Sequence, residues 1–268
     1  MKKTFNGKAI YNPAGKAGEY SQWACNFFTG CSNNCCYCYC KKGVLGSLWQ
    51  DKPVLKKCFK NEEDAFNIFC KELRHNIEEL QKHGLFFSFT TDPMLPETKS
   101  LTISCLYECL DKGVPVQILT KRAEFADDDI WCQITQEQRK KVAVGFTLTG
   151  CDEQEPGASS TEERINAMHI FHELGYPIFA SIEPIVTPAA SLDCIRMTAE
   201  CCCIFKVGLM SGKKDYDKKE LIDMIKEMTE IHNRFGCHFY LKDSYLNFLK
   251  MKRTELSPCF VDTGYKLY

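Results

Sequence analysis

Seven short stretches of this chain are almost continuously apolar: Trp23 to Phe28, Leu85 to Phe89, Val114 to Leu119, Val142 to Leu148, Pro177 to Ile182, Cys203 to Leu209 and Cys237 to Leu241. Runs of that length without alternation predict strands covered on both faces. Between them apolar residues recur at three and four positions. Ala65, Phe66, Phe69, Leu73, Ile77 and Leu80 form one such stripe, and Leu101, Cys105, Leu106, Cys109 and Leu110 another. Ser160-Thr161-Glu162-Glu163 reads as a capping box that opens a helix carrying Ile165, Met168, Ile170, Phe171 and Leu174, and Gly175 stops it. Leu221, Ile222, Ile225, Met228 and Ile231 make a further stripe, ended at Gly236. Strand and helix thus alternate about six times in one direction, the pattern of parallel βα units joined by right-handed crossovers. A full or partial barrel and a doubly wound sheet both satisfy it, and both keep ligands at the C-terminal ends of their strands. No repeat or linker divides the chain, so residues 1–243 read as one core and residues 244–268 as a short C-terminal extension.

Composition narrows the class. With 44% hydrophobic and 26% charged residues the chain is globular. Thirty-four basic residues against 35 acidic ones give a net charge of −1, and no global basic field to hold nucleic acid non-specifically. No apolar run is long enough to span a membrane, and no apolar stretch follows Lys2 and Lys3, so the expected location is cytoplasmic. The 18 cysteines are the anomaly. In a reducing compartment they imply metal, reactivity or small buried side chains. Cys201, Cys202 and Cys203 are adjacent, without ligand spacing, and read as buried small residues. The basic loop Lys213 to Lys219 and the run Lys250 to Arg253 read as solvated.

The other dense group lies in residues 29–40, just after the first predicted strand. Cys31, Cys35 and Cys38 have the spacing C-x3-C-x2-C. Three thiolates on one tight loop can hold three irons of a 4Fe-4S cube and leave the fourth iron open. A closed zinc site needs a fourth thiolate or a histidine in a second knuckle, which is absent. An alternative start at Cys36 and Cys40 meets Gly43 where its third cysteine belongs. A non-catalytic iron–sulfur or zinc protein, for electron transfer or scaffolding, remains the competing class.

Cys31-x3-Cys35-x-Tyr37-Cys38 resembles the signature of the radical S-adenosylmethionine (radical SAM) enzymes, with Tyr37 in the aromatic place. That resemblance implies a partial (β/α)6 TIM-like barrel of parallel strands with outer helices. It implies a 4Fe-4S cluster on Cys31, Cys35 and Cys38, with S-adenosylmethionine chelated at the open iron. One-electron cleavage of that cofactor then yields a 5′-deoxyadenosyl radical, which abstracts hydrogen from the substrate. A flavodoxin or ferredoxin is the implied reductant. The cysteine-rich composition suits an oxygen-poor setting.

Further segments resemble the spore-photoproduct-lyase-like branch: Asn12-Pro13-Ala14-Gly15, Ser88 to Pro93 with Pro96 and Glu97, Thr120-Lys121, Glu155-Pro156-Gly157-Ala158-Ser159 with Arg164, and Gly175-Tyr176-Pro177. By that resemblance Tyr37 lies against the adenine, and Lys121 and Thr147 contact the cofactor. The zwitterionic end of the cofactor also calls for a hydroxyl or carboxylate near its ammonium, for which Thr90 and Asp92 are candidates, and a cation near its carboxylate, for which Lys121 and Arg164 are; Glu183 is a further candidate on the same strand-end rim. Asp92 before Pro93 also reads as a turn opener, and Arg164 as the partner of a glutamate on its helix. A nucleic-acid base is the branch-level substrate expectation; a peptide or small metabolite is the rival. The chain departs from the branch at Phe89, where the lyases carry a hydrogen-donating cysteine, and at Ile103, where an arginine is usual. Cys151, just after the fourth predicted strand, reads as a substitute donor or as an ordinary loop thiol.

Overall fold

The computed structural model describes residues 4–42 and 46–268. Gly43 and the terminal lysines considered above lie outside the described residues. Eight strands form one sheet in the order β1 (Ile10–Tyr11), β2 (Ala24–Cys25), β5 (Leu85–Phe87), β6 (Val116–Thr120), β7 (Val142–Thr147), β8 (Ile178–Ile185), β9 (Ile204–Leu209), β10 (His238–Leu241). A separate ribbon pairs β3 (Phe28–Thr29) with β4 (Val54–Leu55). From β2 to β10 every neighbouring pair is parallel. Six βα units therefore precede a last parallel strand, and β1 adds an antiparallel edge. The two end strands do not pair, so the barrel is partial, as the pattern and the resemblance together predicted.

Side-chain alternation along the strands divides the core in two. One set of residues, including Val144, Ile182, Val207 and Leu241, packs beneath the helices. Their strand neighbours Ala143, Phe179, Ile204 and Tyr240, with Ala24 and Phe86, fill the barrel interior. The outer layer is α1 (Glu62–His75), α2 (Ile77–His83), α3 (Lys99–Asp111), α4 (Thr161–Glu173), α5 (Pro188–Thr198) and α6 (Lys218–Phe235), followed by α7 (Asp243–Leu249). The Ser160–Glu163 capping box is formed, and the chain turns left-handed at Gly175 and Gly236. The stripe from Ala65 to Leu80 is split between α1 and α2 at Asn76, whose side-chain amide donates to the Glu72 carbonyl. Cys201 and Cys202 are buried; Cys203 is exposed.

The last residues return to the barrel. Phe260 bridges to Phe239, and the Tyr268 hydroxyl meets Gln117 and the His83 carbonyl at the N-terminal end of the strands. Tyr265, Leu267 and Tyr268 pack on the interior residues and close that end. None of the described helices is long and apolar enough to cross a membrane.

Candidate active site

At the C-terminal end of the strands lies a cavity of about 300 Å³. Cys31, Cys35, Cys38 and Cys40 form part of its wall with Tyr37 and Asp92. Lys121, Thr147 and Glu183 come in from the ends of β6, β7 and β8. In-out alternation explains why: counting by two from interior Gln117, Ala143 and Phe179 arrives at these three residues.

The cysteine loop is held from three sides. The Cys31 amide donates to the Gln50 carbonyl at 3.1 Å. Gly30 just before it has φ +84°, and a Cβ there would stand 2.3 Å from the Lys52 carbonyl, so only glycine fits. On the opposite side, residues 151–160 lie along the loop. The Cys36 amide donates to Gln154 at 2.9 Å, and the Gly157 amide to Asn33 at 3.1 Å. A Cβ on Gly157 would come within 2.1 Å of the Ser32 carbonyl.

The third support is Asp92. Its two carboxylate oxygens accept from the Asn33 amide at 2.7 Å, the Lys121 backbone at 2.7 Å, the Thr120 hydroxyl at 2.6 Å and the Met94 backbone at 3.0 Å. Four donors occupy the usual capacity of a carboxylate. Asp92 thus ties the cysteine loop to the end of β6. Thr90 donates to the Phe28 carbonyl at 2.6 Å.

Behind Tyr37 sits Glu155, only 2% exposed. One of its oxygens accepts the Tyr37 hydroxyl and lies 3.9 Å from the Lys121 ammonium. The other meets Arg164 at 2.5 Å. Lys121 also stands 5.6 Å from the centre of the Tyr37 ring. Burial opposes its charge, but Cys35 and Glu155 outweigh burial and hold the amine protonated. Burial pushes the Cys31 thiol up to about 12, and also raises Cys35. Cys38 is held below the usual thiol range, first by the Cys40 hydrogen bond and then, against burial, by Lys121 and Lys41.

The far wall carries Tyr20, Ser181, Glu183 and Lys242. Glu183 accepts from Tyr20 at 2.9 Å and from Lys242 at 2.8 Å. Phe89 lines the cavity and stacks on Phe86 at 4.4 Å.

The structure therefore gathers Cys31, Cys35, Cys38, Tyr37, Thr90, Asp92, Lys121, Thr147 and Glu183 around one cavity. Arg164 and Cys151 are not among its lining residues. Arg164 is fully buried behind it, bound to Glu155 and to the Thr147 carbonyl at 2.6 Å. Cys151 is buried in the loop after β7, its amide 3.3 Å from the Thr149 hydroxyl. Sequence reasoning passed over Glu155, Asn33 and Tyr20. Glu155 belongs to the Glu155–Ser159 segment that resembles the lyase branch, but only the fold shows that it faces Tyr37.

Two structures of spore photoproduct lyase match this architecture. One, complexed with dinucleoside spore photoproduct, aligns with a TM-score of 0.60 and 15% identity over 90% of this chain and 81% of that one. The other, a double mutant with bound S-adenosylmethionine and the dinucleoside, gives 0.60 and 15% over 82% and 76%. The chain shares the fold of spore photoproduct lyase. SuiB of Streptococcus suis aligns at 0.52 with 12% identity over 84% of this chain, which spans 50% of SuiB. No protein-family profile and no curated protein sequence matches the chain.

Proposed function

We propose that this protein is a radical SAM enzyme that acts on a nucleobase-type substrate. The observation that carries this reading is the convergence of Cys31, Cys35, Cys38 and Tyr37 with Lys121 and Thr147 on one strand-end cavity. The donor set fits a 4Fe-4S cluster. Among the described residues no three His, Cys, Asp or Glu side chains come together as ligands of a single metal ion. A cube takes one thiolate per iron, so its ligands stand apart, and three thiolates suffice. When bound, the cluster supplies the electron that cleaves S-adenosylmethionine.

The protein's own groups then have assignable tasks. Lys121, kept charged, pairs with the cofactor carboxylate. Tyr37, fixed by Glu155, offers its ring to the adenine. Asp92 and the 151–160 loop hold the cysteine loop so that its thiols face the cavity. Glu183 and Lys242, with Tyr20, form the polar wall for the cofactor hydroxyls or the substrate. The nucleobase assignment draws on the spore photoproduct lyases solved with a dinucleoside. It is supported by Tyr39, 52% exposed, and Trp49, both on the cavity lining, where a base can stack.

The test is anaerobic reconstitution followed by dithionite reduction and addition of S-adenosylmethionine. Formation of 5′-deoxyadenosine, lost in Cys35→Ala, is expected. An intact, reducible cluster that yields none, with or without oligonucleotide, would return the protein to the non-catalytic class. Retention of DNA that is absent or insensitive to salt would remove the nucleobase assignment.

A further inference from the structure

The segment that backs the cysteine loop has a charge unlike the rest of the chain. Residues 41–60 contain six lysines, Lys41, Lys42, Lys52, Lys56, Lys57 and Lys60, against the single acid Asp51, in a protein whose net charge is −1. Lys42, Lys52, Lys57 and Lys60 are exposed, as is Lys8. The fold joins them. The Lys56 ammonium donates to the Lys8 carbonyl, and to the Asn26 carbonyl at 3.1 Å. The Lys52 backbone lies against Gly30, and Lys41 donates to the Asn34 side chain at 2.6 Å. Among the described residues none of these lysines is in an ion pair, whereas Lys99, Lys112, Lys140 and Lys226 each are. Glu62, Glu63 and Asp64 follow at the start of α1 and bound the patch on one side.

We infer that this lysine face is the docking surface for an acidic one-electron carrier protein that reduces the cluster. The inference rests on the radical SAM reading, which requires an electron for each cleavage. Three features favour that partner. The patch adjoins the cysteine loop on its Gly30 side, where Lys52 lies against Gly30, and at Asn34, which is exposed and accepts from Lys41. Lys8, Lys42, Lys52, Lys57 and Lys60 do not line the cavity, so a partner on them leaves the substrate entrance free. The patch is built of lysine without arginine, point charges without the planar fork that grips phosphate bidentately. Exposed, mixed-geometry charge of this kind speeds encounter more than it prolongs residence, as a carrier that must leave after each transfer requires.

The experiment uses the reconstituted enzyme and a triple variant, Lys52→Glu, Lys57→Glu, Lys60→Glu, with an acidic flavodoxin as the probe. At low salt the variant is expected to lose ~10-fold or more of the flavodoxin-driven rate of 5′-deoxyadenosine formation. The dithionite-driven rate should stay unchanged. Flavodoxin binding to the cluster-free protein, followed by fluorescence anisotropy, should weaken in parallel and lose its salt dependence. An unchanged flavodoxin rate and affinity in the variant would overturn the inference. So would loss of DNA retention with the flavodoxin rate intact, which would assign the patch to nucleic acid. If dithionite drives no cleavage in the parent protein, the enzyme reading fails instead, while the anisotropy still decides whether the patch binds the carrier.

Discussion

Glu155 and Arg164 form an ion pair of 2.5 Å in which neither side chain is exposed to solvent. The pair stands directly behind Tyr37, so the stability of the barrel and the position of Tyr37, the ring proposed to meet the adenine, depend on the same carboxylate. Glu155→Gln leaves the buried Arg164 charge with only its longer, 3.3 Å pair to the half-exposed Asp152, which costs on the order of 3 kcal/mol. Urea denaturation should show that loss. The double variant Glu155→Gln, Arg164→Met should recover part of it. A single variant as stable as the parent would show that Asp152 alone balances the Arg164 charge.

Asp92 makes a different prediction. Its four donors leave no room for an amide. Asp92→Asn turns an NH2 toward groups that themselves donate, at a cost of ~2 kcal/mol. Because Asn33 is one of those donors, amide exchange across residues 29–40 should accelerate more than exchange in β7. Uniform exchange would mean that Asp92 does not anchor the loop.

Lys121 is assigned to the cofactor carboxylate. Lys121→Met keeps the stem and removes the charge. S-adenosylmethionine affinity of the reconstituted protein, read by equilibrium dialysis, should fall by ~10-fold or more, the loss of one charge-assisted hydrogen bond. An unaltered affinity would move the carboxylate elsewhere on the cavity wall.

The barrel interior predicts a pH effect. Lys206 is 7% exposed and donates to the Tyr20 carbonyl at 2.9 Å. Burial, then the neighbouring Lys242 charge, brings its pKa down to about 7. The unfolded chain keeps Lys206 protonated to a higher pH, so it binds more protons above pH 7, and stability rises with pH from about 7 toward the ordinary lysine value. Below pH 7 the burial penalty is present in full. Lys206→Met should therefore stabilise the protein most under acidic conditions, on the order of 3 kcal/mol, and progressively less as pH increases. A pH-independent difference would mean that Lys206 keeps its charge in the fold.

Legibility differed with the origin of each feature. Each of the seven apolar runs holds a parallel strand, because burial on both faces leaves a local composition that can be read directly; only the end of the first, Phe28, went to the antiparallel ribbon. The Ser160 cap and the Gly175 and Gly236 stops are equally local. The cysteine spacing and Tyr37 named one wall of the cavity without any structure. What escaped was long-range. β1 has two residues and pairs with β2 across a loop. The terminal tyrosines close the barrel from the far end of the chain. Glu155 acts through Tyr37, 118 positions away, and Tyr20 reaches Glu183 across 163. Arg164 sat near the start of α4 and Cys151 just past the end of β7. The first turned inward to Glu155 and the second stayed in its loop, since their side-chain directions were set by packing that the local pattern does not encode.

The central claim is that Cys31, Cys35 and Cys38 hold a cluster whose open iron faces the S-adenosylmethionine cavity. Electron paramagnetic resonance of the anaerobically reconstituted, reduced protein tests it most directly. A reduced 4Fe-4S signal that shifts when S-adenosylmethionine is added, and is absent in Cys35→Ala, is the predicted result. A signal indifferent to S-adenosylmethionine, or a protein that takes up one zinc ion and no iron, would contradict the account.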